Sequence, residues 1–214
     1  MCKSWCDPVA NIGILTFDGV DDLDFVGVAC VLGKASELSG SGLTTTIISC
    51  LGRDHVISAG GLRIGCESNH GKLVDYDALV FPGGRAAQLV QPSVTFQTSL
   101  RDAIRRGTAI YSVCSGAFIL AKCGVLPGRK VAIHADKGEA LALAGNCTPM
   151  IGIVQDEKIW SIGGPEETGC PKSISMGFLI LEHFHPAIVS YVRKRLEIFP
   201  IAPAKAGLDC IEVQ

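Results

Sequence analysis

Short Val/Ile-rich runs alternate along this chain with segments whose apolar residues recur at helical spacing, and that alternation constrains the fold more than any other feature. Asn11–Phe17 (NIGILTF), Leu43–Leu51, Tyr76–Phe81 and Thr108–Val113 are continuous apolar or β-branched runs, the form of strands buried on both faces. Between them Asp21–Leu38, Ser93–Arg106 and Ser115–Lys122 read as helices; Gly40 and Gly42 close the first, and Gly107 is a natural residue to end the second. Val131–His134 predicts a short strand, and Asp136–Ala144 a helix terminated by Gly145-Asn146. Val56–Ile64 predicts a hairpin about Gly60-Gly61, and Ile151–Gln155 with Lys158–Ile162 a second one about Asp156-Glu157. Glu166–Phe184 contains a long helix whose start Gly169 and Pro171 leave open, and Pro186–Leu196 is the last helix, opening on a well-placed proline. Strands that feed helices in turn predict an α/β fold, layered about a mainly parallel sheet. No repeat or linker divides it, so one domain is expected over residues 11–199, with tails at 1–10 and 200–214.

Composition excludes several classes. Of 214 residues 48 % are hydrophobic and 19 % charged, which supplies a large core and excludes disorder. Nineteen Lys and Arg face 21 Asp and Glu, a formal −2, so nothing marks a surface for nucleic acid or for an anionic membrane. The basic groups Arg101/Arg105/Arg106 and Arg193/Lys194/Arg195 fit solvated helix faces. Residues 109–126 are nearly apolar over a membrane-spanning length, but Lys122, Ser112, Ser115 and Gly116 interrupt them, and strand, sharp turn, helix is the better reading. The N-terminal Met-Cys-Lys-Ser-Trp-Cys-Asp-Pro has no apolar signal region. Ten scattered Cys without a C-x-x-C pair predict reduced thiols in a cytoplasmic protein, with no metal site; Cys30, Cys50, Cys123 and Cys147 are expected to behave as small buried hydrophobes.

In open parallel sheets, ligands bind beyond the carboxyl ends of the strands. Those ends are Asp18-Gly19, Pro82-Gly83-Gly84, Cys114-Ser115-Gly116, His134-Ala135 and Gly163-Gly164. No dinucleotide or P-loop signature accompanies them, so no cofactor is implied. Cys114 follows a buried strand directly and precedes a helix, the setting of a strained turn that projects a nucleophile, and the helix N-terminus favours its thiolate. On composition alone it could equally be another small buried residue. A nucleophile needs a proton partner. His134 ends a later strand, where a structural donor is the commoner role. Asp24, between Leu23 and Phe25, is drawn towards the protein, although by itself it reads first as a helix-start residue beside the first-turn acids Asp21 and Asp22.

Taken together, Gly-Ile-Leu-Thr-Phe-Asp-Gly-Val…Leu-Asp-Phe-Val-Gly (13–27), Phe-Pro-Gly-Gly (81–84), Ser-Val-Cys-Ser-Gly-Ala-Phe-Ile-Leu-Ala (112–121) and Gly-Val-Leu-Pro-Gly-Arg-Lys…His (124–134) resemble the DJ-1/PfpI superfamily. Within it they resemble the branch of isocyanide hydratases and of the amidase-like domains of AraC-type regulators, over about Ile12 to Ala202. The resemblance implies a flavodoxin-like three-layer sandwich, a homodimer, and Cys114 on a nucleophile elbow. It makes Asp24 the acidic partner, Asp rather than Glu being the choice of the hydratase branch. It also implies an anion-stabilising, substrate-binding pocket from the Gly84 and Ser115 amides, with Gly83 and His134 beside them. Two departures lie next to that site. Ala135 stands where Trp is common, and Pro165–Lys172 replaces a short Ala-Gly-x-Asp helix start; both would reshape the substrate pocket.

The function so implied is a cofactor-independent cysteine enzyme, a hydratase or lyase converting an isocyanide or similar small electrophile to an N-substituted formamide. A glyoxalase or deglycase acting on α-oxoaldehydes is the alternative, although those members usually carry Glu and often a catalytic His. A ligand- or redox-sensing domain is the third; regulators of this kind add a helix-turn-helix region, and no basic recognition helix follows the last expected helix here.

Overall fold

The computed structural model describes residues 10–38, 40–67, 72–164 and 170–198. Strand β1 (Ala10–Thr16) leads into helix α1 (Asp22–Ser36), then β2 (Leu43–Ser49) and a hairpin of β3 (His55–Ile57) and β4 (Arg63–Gly65). β5 (Ala78–Phe81) precedes α2 (Val94–Arg106), and β6 (Ala109–Val113) enters α3 (Ala117–Lys122) through a 3-10 turn at Cys114–Gly116. β7 (Lys130–Ala132) reaches α4 (Gly138–Gly145) through a second such turn, Ala135–Lys137. β8 (Thr148–Met150), β9 (Gly152–Asp156), β10 (Ile159–Gly163), α5 (Lys172–Phe184) and α6 (Val189–Arg195) complete the described chain.

Six strands form the main sheet in the order β2-β1-β5-β6-β10-β9. All neighbours are parallel except β9, which pairs antiparallel with β10 at one edge. Numbered by its parallel strands alone the sheet reads 2-1-3-4-5, the flavodoxin-like order. The chain leaves β1 for β2 on one side and returns to β5 on the other. The crevice of this switch point therefore opens at the carboxyl ends of β1 and β5, next to that of β6.

Burial explains the apolar runs. Every residue of β5, β6 and β10 is buried, whereas β2 at the other edge exposes Thr44 and Thr45. Helix α1 buries Phe25, Val28, Val31, Leu32 and Ala35 at helical spacing and packs closely on α5. Two glycines permit that approach: a methyl on Gly27 would strike Ser173, and one on Gly177 would strike Val31. The Ser173 hydroxyl also donates to the Leu23 carbonyl at 2.7 Å, which ties the start of α5 to the first turn of α1.

The structure changes two of these expectations, for Cys30 and Ala10, and adds two points that the sequence left open. Cys30 lies on the outer face of α1 and is exposed, because the buried stripe of that helix passes it by. Helix α5, whose start the sequence left open, begins at Lys172, since Pro171 fits the entry of a helix and not its interior. β8 pairs in parallel with β7 although its sequence, Thr-Pro-Met, argues against a strand; Pro149 is tolerated in a two-stranded ribbon. Ala10, counted with the N-terminal tail, opens β1. The rest of both expected tails, and residues 165–169 of the substituted segment, lie outside the described residues.

Candidate active site

The turn after β6 is strained at the residue the sequence singled out. Cys114 has φ 48°, a left-handed conformation that a non-glycine residue holds only at a cost of about 1–3 kcal/mol, met by the packing around it. That packing is visible at Gly116, where any side chain would overlap the Phe81 carbonyl at the end of β5. The Cys114 side chain is half-buried, and its Sγ lies 3.8 Å from the Ser115 hydroxyl. Ser115 is buried and accepts a 2.6 Å hydrogen bond from Lys137 Nζ.

Asp24 reaches the same place from α1. The Asp21 carboxylate caps this helix, accepting from the amides of Leu23 and Asp24 at 3.0 and 3.1 Å, and so directs the first turn over the sheet. Gly83 is where Asp24 and the elbow meet. A methyl built there would collide with Asp24 Oδ2 and would lie 3.1 Å from the Ser115 amide nitrogen and 3.0 Å from the Val113 carbonyl. Burial first, and then the Asp21 carboxylate, push the Asp24 carboxyl up to about 6. Lys172, the Gly83 amide and Lys137 act in the opposite direction. Asp24 is thus a carboxyl that exchanges its proton near neutrality, held against the loop that faces the Cys114 elbow. That combination suits proton transfer to an adduct forming on sulfur.

The remaining candidates divide. Gly84, at φ 137°, packs against the Gly19 carbonyl and the Asp21 amide, and the Gly83 carbonyl accepts from the Asp21 amide at 3.0 Å; the Phe-Pro-Gly-Gly loop is thereby pinned to the start of α1. His134 follows β7 with its side chain 46 % exposed, and its Nδ1 accepts from the Asp136 amide at 3.3 Å, capping its own turn. Asp22 is more than a first-turn acid: it accepts from the Ser58 hydroxyl and, at 2.6 Å, from the Gly60 amide, which fastens the β3–β4 hairpin over the start of α1. Lys137 and Lys172 escaped the sequence reading because a single lysine in a helical segment looks like any solvated charge. Among the described residues no cluster of three or more His, Cys, Asp or Glu is arranged to hold a metal ion, and no helix is long and apolar enough to cross a membrane.

A flavodoxin-like sandwich with a cysteine in a strained strand-to-helix elbow next to the switch point defines a class of nucleophile-elbow α/β proteins. Within that class the chain belongs to the DJ-1/PfpI family, whose model matches residues 10–167. Among solved structures it is similar to a ThiJ/PfpI family protein from Pseudomonas syringae, with 25 % identity, a TM-score of 0.74, and 95 % of this chain and 82 % of that one covered. It is 30 % identical over 135 residues to the HTH-type transcriptional regulator GlxA of Rhizobium meliloti, covering 62 % of this chain and 41 % of the relative. It is also 41 % identical over 56 residues to Deglycase PH1704 of Pyrococcus horikoshii, covering 26 % of this chain and 34 % of the relative. The chain thus spans less than half the length of either of these two curated relatives.

Proposed function

We propose that the protein is a cysteine-nucleophile enzyme that adds water to a small electrophile, in the manner of an isocyanide hydratase. The observation that carries this reading is that Asp24, its carboxyl pushed up to about 6, reaches at Gly83 the backbone on either side of Cys114. The Cys114 thiolate attacks the terminal carbon of R–N≡C and forms the S–C bond. Asp24 delivers its proton to that carbon, which leaves a thioimidate. Water then adds to the carbon, the C–S bond breaks, and the thiolate departs. One proton of the water goes to nitrogen and the other returns to Asp24, so the product is R–NH–CHO. The amides of Ser115 and Gly84 are the donors proposed to face the charge that develops. Sulfur supplies the electron pair and water the oxygen, so the scheme asks for no cofactor. NMR of a small alkyl isocyanide incubated with the protein should show the formamide, and the Cys114→Ala variant should show none.

A deglycase or glyoxalase reading is favoured by one observation, the identity to Deglycase PH1704. It differs in its product. Lactate formed from methylglyoxal, with isocyanide untouched, replaces the hydratase reading by this one.

A further inference from the structure

We propose that Lys137 is a positioning residue that acts on Cys114 through Ser115: its ammonium occupies the Ser115 oxygen as acceptor, so that the hydroxyl turns its own proton to the Cys114 sulfur and holds the thiolate. This rests on Cys114 being the nucleophile. Three atoms carry it. Lys137 Nζ donates to Ser115 Oγ at 2.6 Å, and that oxygen lies 3.8 Å from Cys114 Sγ. An ammonium has no acceptor, so the direction of the first bond is fixed. An oxygen that already accepts from a cation becomes a stronger donor, and hydrogen bonds in a chain reinforce one another. Ser115 is 1 % exposed, so water does not compete for its hydroxyl. The separation to sulfur is long, as is common before substrate tightens a site. The ordinary assignment for Lys137, a solvated charge on the Ala135–Lys137 turn, leaves its bond to a buried hydroxyl beside the elbow unexplained.

The test is alkylation of Cys114 by iodoacetamide in the whole chain, followed by mass spectrometry near neutral pH and at about pH 10, where an ordinary thiol is already ionised. Lys137→Met and Ser115→Ala should each slow the neutral reaction about tenfold, the scale of a charge-assisted hydrogen bond, and leave the alkaline rate alone. Lys137→Arg keeps a cationic donor and should keep most of the rate. The double variant should be no slower than Ser115→Ala alone, because the lysine acts through the serine. Circular dichroism and melting temperature check that each variant is folded. A Lys137→Met protein as reactive as the parent near neutrality overturns the proposal. So does an equal loss at both pH values, which marks altered access, or a double variant slower than Ser115→Ala, which marks a direct effect. If the parent's own Cys114 does not react, the nucleophile reading and this one fall together; if only the variants fail to slow, the nucleophile reading stands.

Discussion

Asp24 carries the largest consequence at the scale of a single residue. Its carboxyl titrates at about 6 in the folded chain, against about 3.9 for an unfolded aspartate. An acid whose folded value is raised keeps its proton better in the folded state, so stability falls as pH rises between these two values. Below about pH 4 the penalty is absent; above about pH 6 it is complete, on the order of 3 kcal/mol. Asp24→Asn removes the buried charge. It should therefore melt above the parent at pH 8 and no higher than the parent near pH 4, as calorimetry at the two pH values would show. The same substitution should cut turnover by roughly 10²–10⁴, the contribution of a positioned proton donor. The parent's turnover should decline above about pH 6 as the protonated fraction falls. A variant that turns over as fast as the parent transfers the proton role to His134 or to water. Cys114 is the second such residue. Burial pushes the Cys50 thiol up, Cys66 to about 11 and Cys123 to about 12, so these sulfurs stay protonated and slow. Peptide mapping after brief iodoacetamide treatment at neutral pH should find Cys114 labelled first; label on Cys66 or Cys170 before it speaks against the elbow as the reactive site. Peroxide should likewise give sulfenic and then sulfinic acid at Cys114 first.

At the scale of elements, the site is assembled by three strand ends that approach closely at glycines. β1 delivers α1 and Asp24, β5 delivers Gly83 and Gly84, and β6 delivers Cys114. Gly116 lets the elbow lie on the end of β5, and Gly83 lets Asp24 lie on the elbow. Gly116→Ala should consequently destabilise the protein by about 1–3 kcal/mol, because the obstacle is backbone and cannot rotate away. For a chain of this size each kcal/mol lowers the melting temperature by roughly 2–4 °C. A Gly116→Ala protein with the parent's melting temperature and the parent's Cys114 reactivity would show that the two strand ends do not meet as described. The same elements were legible in the sequence to different degrees. The β5 and β6 runs are wholly buried, so their composition announces them, whereas Thr-Pro-Met in β8 is held by its pairing with β7 and announces nothing.

At the scale of the whole molecule, the sheet hides its centre, while the segment from β8 into β9 exposes several apolar side chains. Met150, Ile151 and Ile153 are exposed along β8 and β9, and Leu143 on α4 nearby in the chain is exposed as well. Apolar side chains left in water along one stretch favour association with a second copy. A homodimer is therefore expected, and sedimentation at micromolar concentration should give twice the 22.5 kDa of one chain. Sedimentation at the mass of one chain alone would overturn this expectation, while Ile153→Lys, on the exposed edge, should shift a dimer towards monomer only if that edge is the contact.

By itself the sequence determined the order of strands and helices apart from β8, because the period of apolar residues is a local property: runs without alternation mark strands covered on both faces, and a 3.6-residue period marks helices packed on them. It also determined that Cys114 sits between a buried strand and a helix, since both neighbours are visible within a few residues. What it left open were the contacts between segments far apart in the chain. Asp24 reads in the sequence as a helix-start acid, and its burial beside Gly83, some sixty positions on, shows only once α1 is set on the sheet. Asp22 gave no hint of the hairpin it holds at Ser58 and Gly60, nor Lys137 of the hydroxyl it meets at Ser115. Only the tertiary structure decided these, because burial and hydrogen-bond partners are set by which segments the sheet order brings together, and a charged side chain carries no mark of its future neighbour.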